Sequence, residues 1–243
     1  MLHTLHRFST ALMVLLLITS CSSTAKSPTD TAIEARLDFS ASKDGPAPGT
    51  FGPGASLLLV TPPTDLGGVF RIEGGKLVSR PTVDGRSASY FSTADLGNPI
   101  ARIGARWVFT PQGGGSGTMV LIVSKRAVFP PFSAELSVSP KSWSFGVREA
   151  GQAEGFSQIT ILETGSIDPP LSEDGSTSYR VEVRIAGERA ELTLPDGHTE
   201  IVHDKRIAEW AGSFGTFESY VEHGLTDSRA DFIEMWAVAE NSS

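Results

Sequence analysis

Tyr179-Arg180-Val181-Glu182-Val183-Arg184-Ile185 opens a run, extending to Asp204, from which the fold class can be read. Tyr179, Val181, Val183 and Ile185 alternate with Arg180, Glu182 and Arg184, the period of a strand with one buried and one wet face. Ala186-Gly187-Glu188 supplies a tight turn, after which Ala190, Leu192 and Leu194 alternate with Glu191 and Thr193. Asp196-Gly197 is a strong two-residue hairpin signal, because both residues tolerate the positive φ such turns require. A third strand then spans 199–203, so the segment reads as an antiparallel meander.

Working outward, the same period recurs. Ile103, Ala105, Trp107 and Phe109 share one face of a strand, with Arg102, Gly104, Arg106 and Val108 on the other. Residues 119–123 are apolar on both faces, which predicts a central strand. Phe132, Ala134, Leu136 and Val138 alternate with Ser133, Glu135 and Ser137, and Trp143, Phe145 and Val147 with Ser144, Gly146 and Arg148. Residues 36–40 alternate, 45–56 read as a Pro/Gly loop, and 57–61 as a short apolar run. Beyond the meander, 204–211 suits one or two helical turns, and strands are expected over 216–221 and 231–238. No long amphipathic helix pattern occurs after residue 30. The expectation is one all-β domain, an antiparallel sandwich, because short strands with Gly/Pro turns close into sandwiches or barrels.

The order of these segments, from Arg102-Ile103-Gly104 through the meander to Asp231-Phe232-Ile233-Glu234-Met235-Trp236, resembles that of concanavalin A-like sandwiches. This is the jelly-roll family of legume lectins, laminin G modules and laminarinase-type glucanases. The resemblance rests on strand pattern over 35–240. It implies two stacked antiparallel sheets, the concave one often carrying a sugar or polysaccharide.

The N-terminus says where the chain resides. Arg7 precedes the apolar run 11–18, which is far too short to span a bilayer and fits a signal peptide. Ile18-Thr19-Ser20-Cys21 resembles the lipobox of bacterial lipoproteins. That resemblance implies cleavage before Cys21 and two or three acyl chains on it, including the palmitate class. Cys21 is the only cysteine, so no internal disulfide can form. The small polar residues after it cannot bury enough apolar surface to order themselves and read as a tether. The expected map is a signal peptide over 1–20, a lipidated cysteine and tether over 21–34, and a single sandwich over 35–240. The expected location is a bacterial cell membrane or envelope, with the membrane engaged through the lipid.

The formal charge is −8, and −9 once Arg7 leaves with the signal, which disfavours nucleic acid as a partner. A monomer is expected.

Enzyme motifs are weak. Glycoside hydrolysis needs two carboxylates roughly 5–9.5 Å apart, and laminarinase-like enzymes place theirs at alternate positions of one strand. No two acidic residues here lie two positions apart. Glu218 and Glu222, four apart, would stand roughly 13 Å apart on a strand. Carboxylates from different strands could still meet. Polysaccharide lyases of the same sandwich class are faintly matched by Phe156-Ser157-Gln158-Ile159-Thr160 and Arg148, with Thr160 where a histidine is expected. Gly113-Gly114-Gly115-Ser116-Gly117 lacks what a phosphate loop or nucleophile elbow requires, and reads as a flexible hairpin. His198 and His203 are too few and wrongly spaced for zinc. Scattered aspartates such as Asp227 and Asp231 leave structural calcium open, and no other cofactor is expected.

Trp107 and Trp143 read as core. Trp236, by strict alternation, shares a face with Phe232 and Glu234, opposite Ile233 and Met235. Arg106, Arg148, Gln158, Glu234 and Trp236 all fall on the polar side of their strands, and gathered on one concave sheet they would form a glycan groove. The leading expectation is non-catalytic, lectin-like carbohydrate binding. The alternatives are an envelope polysaccharide hydrolase or lyase, and a structural module that binds another protein.

Overall fold

The alternation of the meander becomes three neighbouring strands at one end of a sheet. The computed structural model describes residues 32–48, 50–51, 57–60, 68–81, 87–126, 132–150, 157–223 and 226–240. The expected signal peptide, Cys21 and the part of the expected tether up to residue 31 lie outside the described residues.

In chain order the strands are β1 (Ile33–Asp38), β2 (Gly45–Pro46), β3 (Thr50–Phe51), β4 (Leu57–Val60), β5 (Gly68–Glu73), β6 (Lys76–Pro81), β7 (Ser87–Thr93), β8 (Ile100–Thr110) and β9 (Thr118–Ser124). They continue with β10 (Ser133–Val138), β11 (Ser142–Ala150), β12 (Ser157–Ser166), β13 (Ser178–Ala186), β14 (Arg189–Thr193) and β15 (Thr199–His203). A short helix α1 (Lys205–Trp210) precedes β16 (Phe214–Val221) and β17 (Arg229–Ala239). β1 opens at Ile33, two residues before the expected domain start.

The strands form two antiparallel sheets. Sheet A runs β15-β14-β13-β8-β17-β6-β5-β2, with β1 also paired to β17. Sheet B runs β12-β11-β10-β9-β16-β7-β4-β3. β8 faces β9, β17 faces β16 and β5 faces β7, so the sheets stack as a jelly-roll sandwich. The core is the set of inward positions: Ile103, Ala105, Trp107 and Phe109 of β8, Val181 and Val183 of β13, Leu121 of β9 and Phe217 of β16. Phe70 of sheet A meets Phe91 of sheet B at 4.5 Å between ring centroids. β9 lies between β10 and β16, as its two apolar faces predict. α1 is capped by Asp204, whose carboxylate accepts from the Arg206 backbone N–H at 2.8 Å, and it buries Ile207 and Trp210.

Three sequence expectations need correction. The glycine run 113–117 does not close a hairpin: it carries the chain from β8 in sheet A to β9 in sheet B. Nor is it free, because Gly114 N–H donates to the Thr226 carbonyl at 2.7 Å and Gly115 N–H to Asp227 at 3.1 Å. A Cβ on Gly115 would meet Asp227 Oδ1 at 2.3 Å, so the glycine admits close approach. The second correction adds β5, β6, β7 and β12, strands beyond those expected from alternation, and sets the two-residue strands β2 and β3 within the expected Pro/Gly loop. The third is the parity of β17. A bulge between Phe232 and Glu234 inserts Ile233 and reverses the alternation, so Phe232 and Met235 face the core while Glu234 and Trp236 face outward.

Candidate functional site

The five residues expected to share one groove stand on two sheets. Arg106 lies on β8, and Glu234 and Trp236 lie on β17, all on the outward side of sheet A. Arg148 lies on β11 and Gln158 on β12, in sheet B. Gln158 pairs with Glu149, one position past Arg148, and so takes the parity of Val147 rather than that of Arg148. A single groove built from all five is therefore excluded by the strand order.

The three on sheet A do meet. Glu234, with its side chain 9% exposed, is ringed by Arg36, by Arg106 Nε at 3.8 Å and by Arg180 Nη1 at 3.8 Å. The Arg180 guanidinium lies 4.0 Å from the Trp236 ring centroid, and Arg36 lies 5.6 Å from it. Trp236 Nε1 donates to Glu182 at 3.2 Å. The indole crosses β8 at Gly104, where a Cβ would meet Trp236 Cζ2 at 2.1 Å. Trp236 is thus 2% exposed, clamped between glycine and arginine. It is not an open stacking platform for a sugar.

Sheet B carries a different constellation on its outward side. Arg148 Nε and Nη2 donate to the two oxygens of Glu135 at 2.5 and 2.9 Å, and the Ser133 hydroxyl donates to Glu135 at 2.6 Å. Two strands along, β16 presents Glu218, which pairs directly with Tyr90 of β7 on the same face. The surrounding outward side chains, Ser92, Val120, Ile122, Ser133 and Thr216, are buried, although they point away from the core. Glu218 keeps partial contact with solvent, and the Arg148 side chain remains 28% exposed. The outward side chains of this face are thus covered and rich in hydroxyls.

The electrostatics separate the two carboxylates. Burial raises the Glu218 carboxyl from 4.5 to about 7, the nearby Glu135 charge adding to the rise and Arg148 opposing it. Glu135 is held bidentately by Arg148. Burial and the neighbouring Glu218 also push the Tyr90 phenol upward, so it stays neutral and able to donate. The site can therefore offer a fixed ion pair, a carboxyl protonated near neutral pH, a phenol and several hydroxyls. It holds no group of three metal-ligating side chains, nor does any other place among the described residues.

Asp227 accepts from the backbone of Glu222 and His223 at 3.0 and 2.8 Å, which is a loop-closing role. Asp231 is occupied by Thr110 at 2.6 Å and Arg229 at 3.1 Å. His198 and His203 are exposed, and His198 meets Glu200 at 3.0 Å.

Glu135 and Tyr90 are not among the sequence candidates, and Glu218 entered only beside Glu222. The alternation of β10 and β16 places each acid on a polar face, but only the order β10-β9-β16-β7 brings Glu135, Glu218 and Tyr90 together.

The sequence matches no family model and no curated protein. Solved structures do match the fold. A CBM2 module of the Lactobacillus casei BL23 phage J-1 evolved Dit superposes with a TM-score of 0.53 at 12% identity, over 87% of this chain and 98% of that one. The laminarinase from Rhodothermus marinus gives 0.55 at 11% identity, over 86% of this chain and 97% of that one. SCLam, a non-specific endo-β-1,3(4)-glucanase of family GH16, gives 0.55 at 10% identity, over 88% and 93%. At these identities the likeness is one of fold: this chain is a concanavalin A-like jelly-roll sandwich, an architecture that carbohydrate-binding modules and glucanases share.

Proposed function

We propose that this protein is an exported, lipid-anchored glycan-binding sandwich, held at the cell envelope through Cys21, with the glycan seated on the outward face of sheet B. The observation that supports the reading is the set Glu135–Arg148, Glu218 and Tyr90 on an outward yet buried face. Sugar hydroxyls need donors and acceptors in fixed positions, and this face supplies both. The reading is non-catalytic because Glu135 is fully engaged by Arg148 and Ser133 and is not free to attack or to activate water. One observation favours a second reading: a carboxyl raised to about 7 shares its face with a second carboxyl, that of Glu135, and glycoside hydrolysis uses two such groups.

A glycan-array screen of the full chain, followed by an assay for newly formed reducing ends on each ligand found, tests both. The expected result is binding without release of reducing ends. Release that is lost in Glu218→Gln would replace the lectin reading with the hydrolase. An array without any ligand would overturn both.

A further inference from the structure

The outward side of sheet A breaks a rule of sheet stability. Arg180 of β13 lies directly opposite Arg106 of β8, and Arg184 lies directly opposite Arg102. Like charges directly opposite one another destabilise a sheet. Here two such pairs stand four residues apart, roughly 13 Å along the strands, with Glu182 and Gly104 between them. Two of the carboxylates available to them lie deep, while Glu191, directly opposite Arg184, and Asp38, which feels the Arg106 charge, are more open. Glu182 is 13% exposed and spans Arg184 at 2.8 Å and the Trp236 N–H, and Glu234 is the acid ringed by Arg36, Arg106 and Arg180. The β13 guanidiniums meet solvent: Arg180 is 53% exposed and Arg184 56%. Arg102 forms no ion pair with a described residue, and its Nε has no hydrogen-bond partner among them. Arg180 is held by the Trp236 face, which fixes the direction of its remaining N–H groups.

In a chain of net charge −8, this concentration of arginine on one sheet face costs stability locally and draws anions there. We propose that the outward side of sheet A is a second binding surface, for an acidic polysaccharide whose carboxylate or sulfate groups are taken by the Arg102–Arg184 and Arg106–Arg180 pairs. An extended sugar chain lying along the strands can reach both pairs while the acidic remainder of the protein stays clear of it. A flat anionic bilayer would meet that acidic remainder as well. This surface lies on the opposite sheet from Glu218, so it stands or falls independently of the function proposed above.

The test is affinity electrophoresis of the full chain in a neutral detergent, at about 50 mM salt, where exposed charges are weakly screened. Gels contain polygalacturonate, dextran sulfate or neutral laminarin. The expected result is retardation by at least one of the two polyanions, carboxylate against sulfate identifying the group preferred. Retardation should fall about tenfold in Arg102→Ala/Arg184→Ala. Its folding is checked by thermal melting, because Arg184→Ala removes the ion pair to Glu182 as well as the like-charge pair. If it does not fold, Arg184→Gln, at an exposed position, should weaken retardation about threefold. Any effect of laminarin should be the same in variant and wild type. The proposal is overturned if neither polyanion retards the protein, or if the folded variants bind as the wild type does. Preferential binding to vesicles of phosphatidylglycerol overturns it in favour of a membrane surface.

Discussion

Glu218 gives the site a pH signature that can be read without knowing the ligand. Below about pH 4.5 the folded and unfolded chains both carry its proton, and burial costs nothing. As pH rises towards 7 the unfolded chain releases the proton while the folded chain keeps it, so stability falls across this window and levels off above it. Glu218→Gln should therefore be more stable than the wild type at pH 8, by on the order of 2 kcal/mol given its partial solvent contact. The two should be equal near pH 4. Urea unfolding at both pH values measures this, and equal stability at pH 8 would show that the carboxyl is not held protonated. A second residue-scale expectation concerns Gly104. Gly104→Ala should cost about 2 kcal/mol by forcing the Trp236 ring off β8 and crowding the Val181 carbonyl, and less in a Trp236→Ala background, where only the carbonyl contact remains. Additive losses in thermal melts would contradict the contact.

Among the elements, the meander is the most legible from sequence, because its period, its turns and its wet face all agree. β13, β14 and β15 span Ser178–Ala186, Arg189–Thr193 and Thr199–His203, with Gly187 and Gly197 at positive φ in the turns. Val183→Asp places an unpaired charge among Val181, Leu192 and Ile103, and should abolish the folded far-ultraviolet signature. A folded variant would mean that this face is not core. β17 is legible as a strand but not in its parity, since a bulge of one residue leaves no mark in a run that is apolar on both sides. β5 and β6 carry one usable signal, Gly74-Gly75 at φ 56° and 74° between Ile72 and Leu77. β7, reading Ser87-Ala88-Ser89-Tyr90-Phe91-Ser92-Thr93, has small polar residues on both faces and little strand propensity to detect.

For the molecule as a whole, the fold follows from alternation and the site does not. Glu135 and Glu218 are 83 positions apart in the sequence, and their meeting depends on which strands are neighbours. The expected five-residue groove fails for the same reason: polarity assigns a residue to a side of its strand but not to one of two sheets. The proposed envelope location rests on the sequence around Cys21. Cys21→Ser should move the protein from the membrane fraction to the soluble fraction or leave the signal uncleaved, and mass spectrometry of the wild type should find an acylated N-terminal cysteine. An unmodified terminus farther along the chain would contradict the anchor. Whether a glycan sits on sheet B is decided by calorimetric titration of the best array ligand into the wild type, Tyr90→Phe and Glu218→Ala, alongside Arg102→Ala/Arg184→Ala on the other face. Tyr90→Phe and Glu218→Ala should each lose at least about tenfold in affinity, or roughly 1.4 kcal/mol, with melting temperatures no lower than the wild type. Wild-type affinity in Glu218→Ala, or a loss confined to the sheet A variant, would contradict a glycan seat on sheet B.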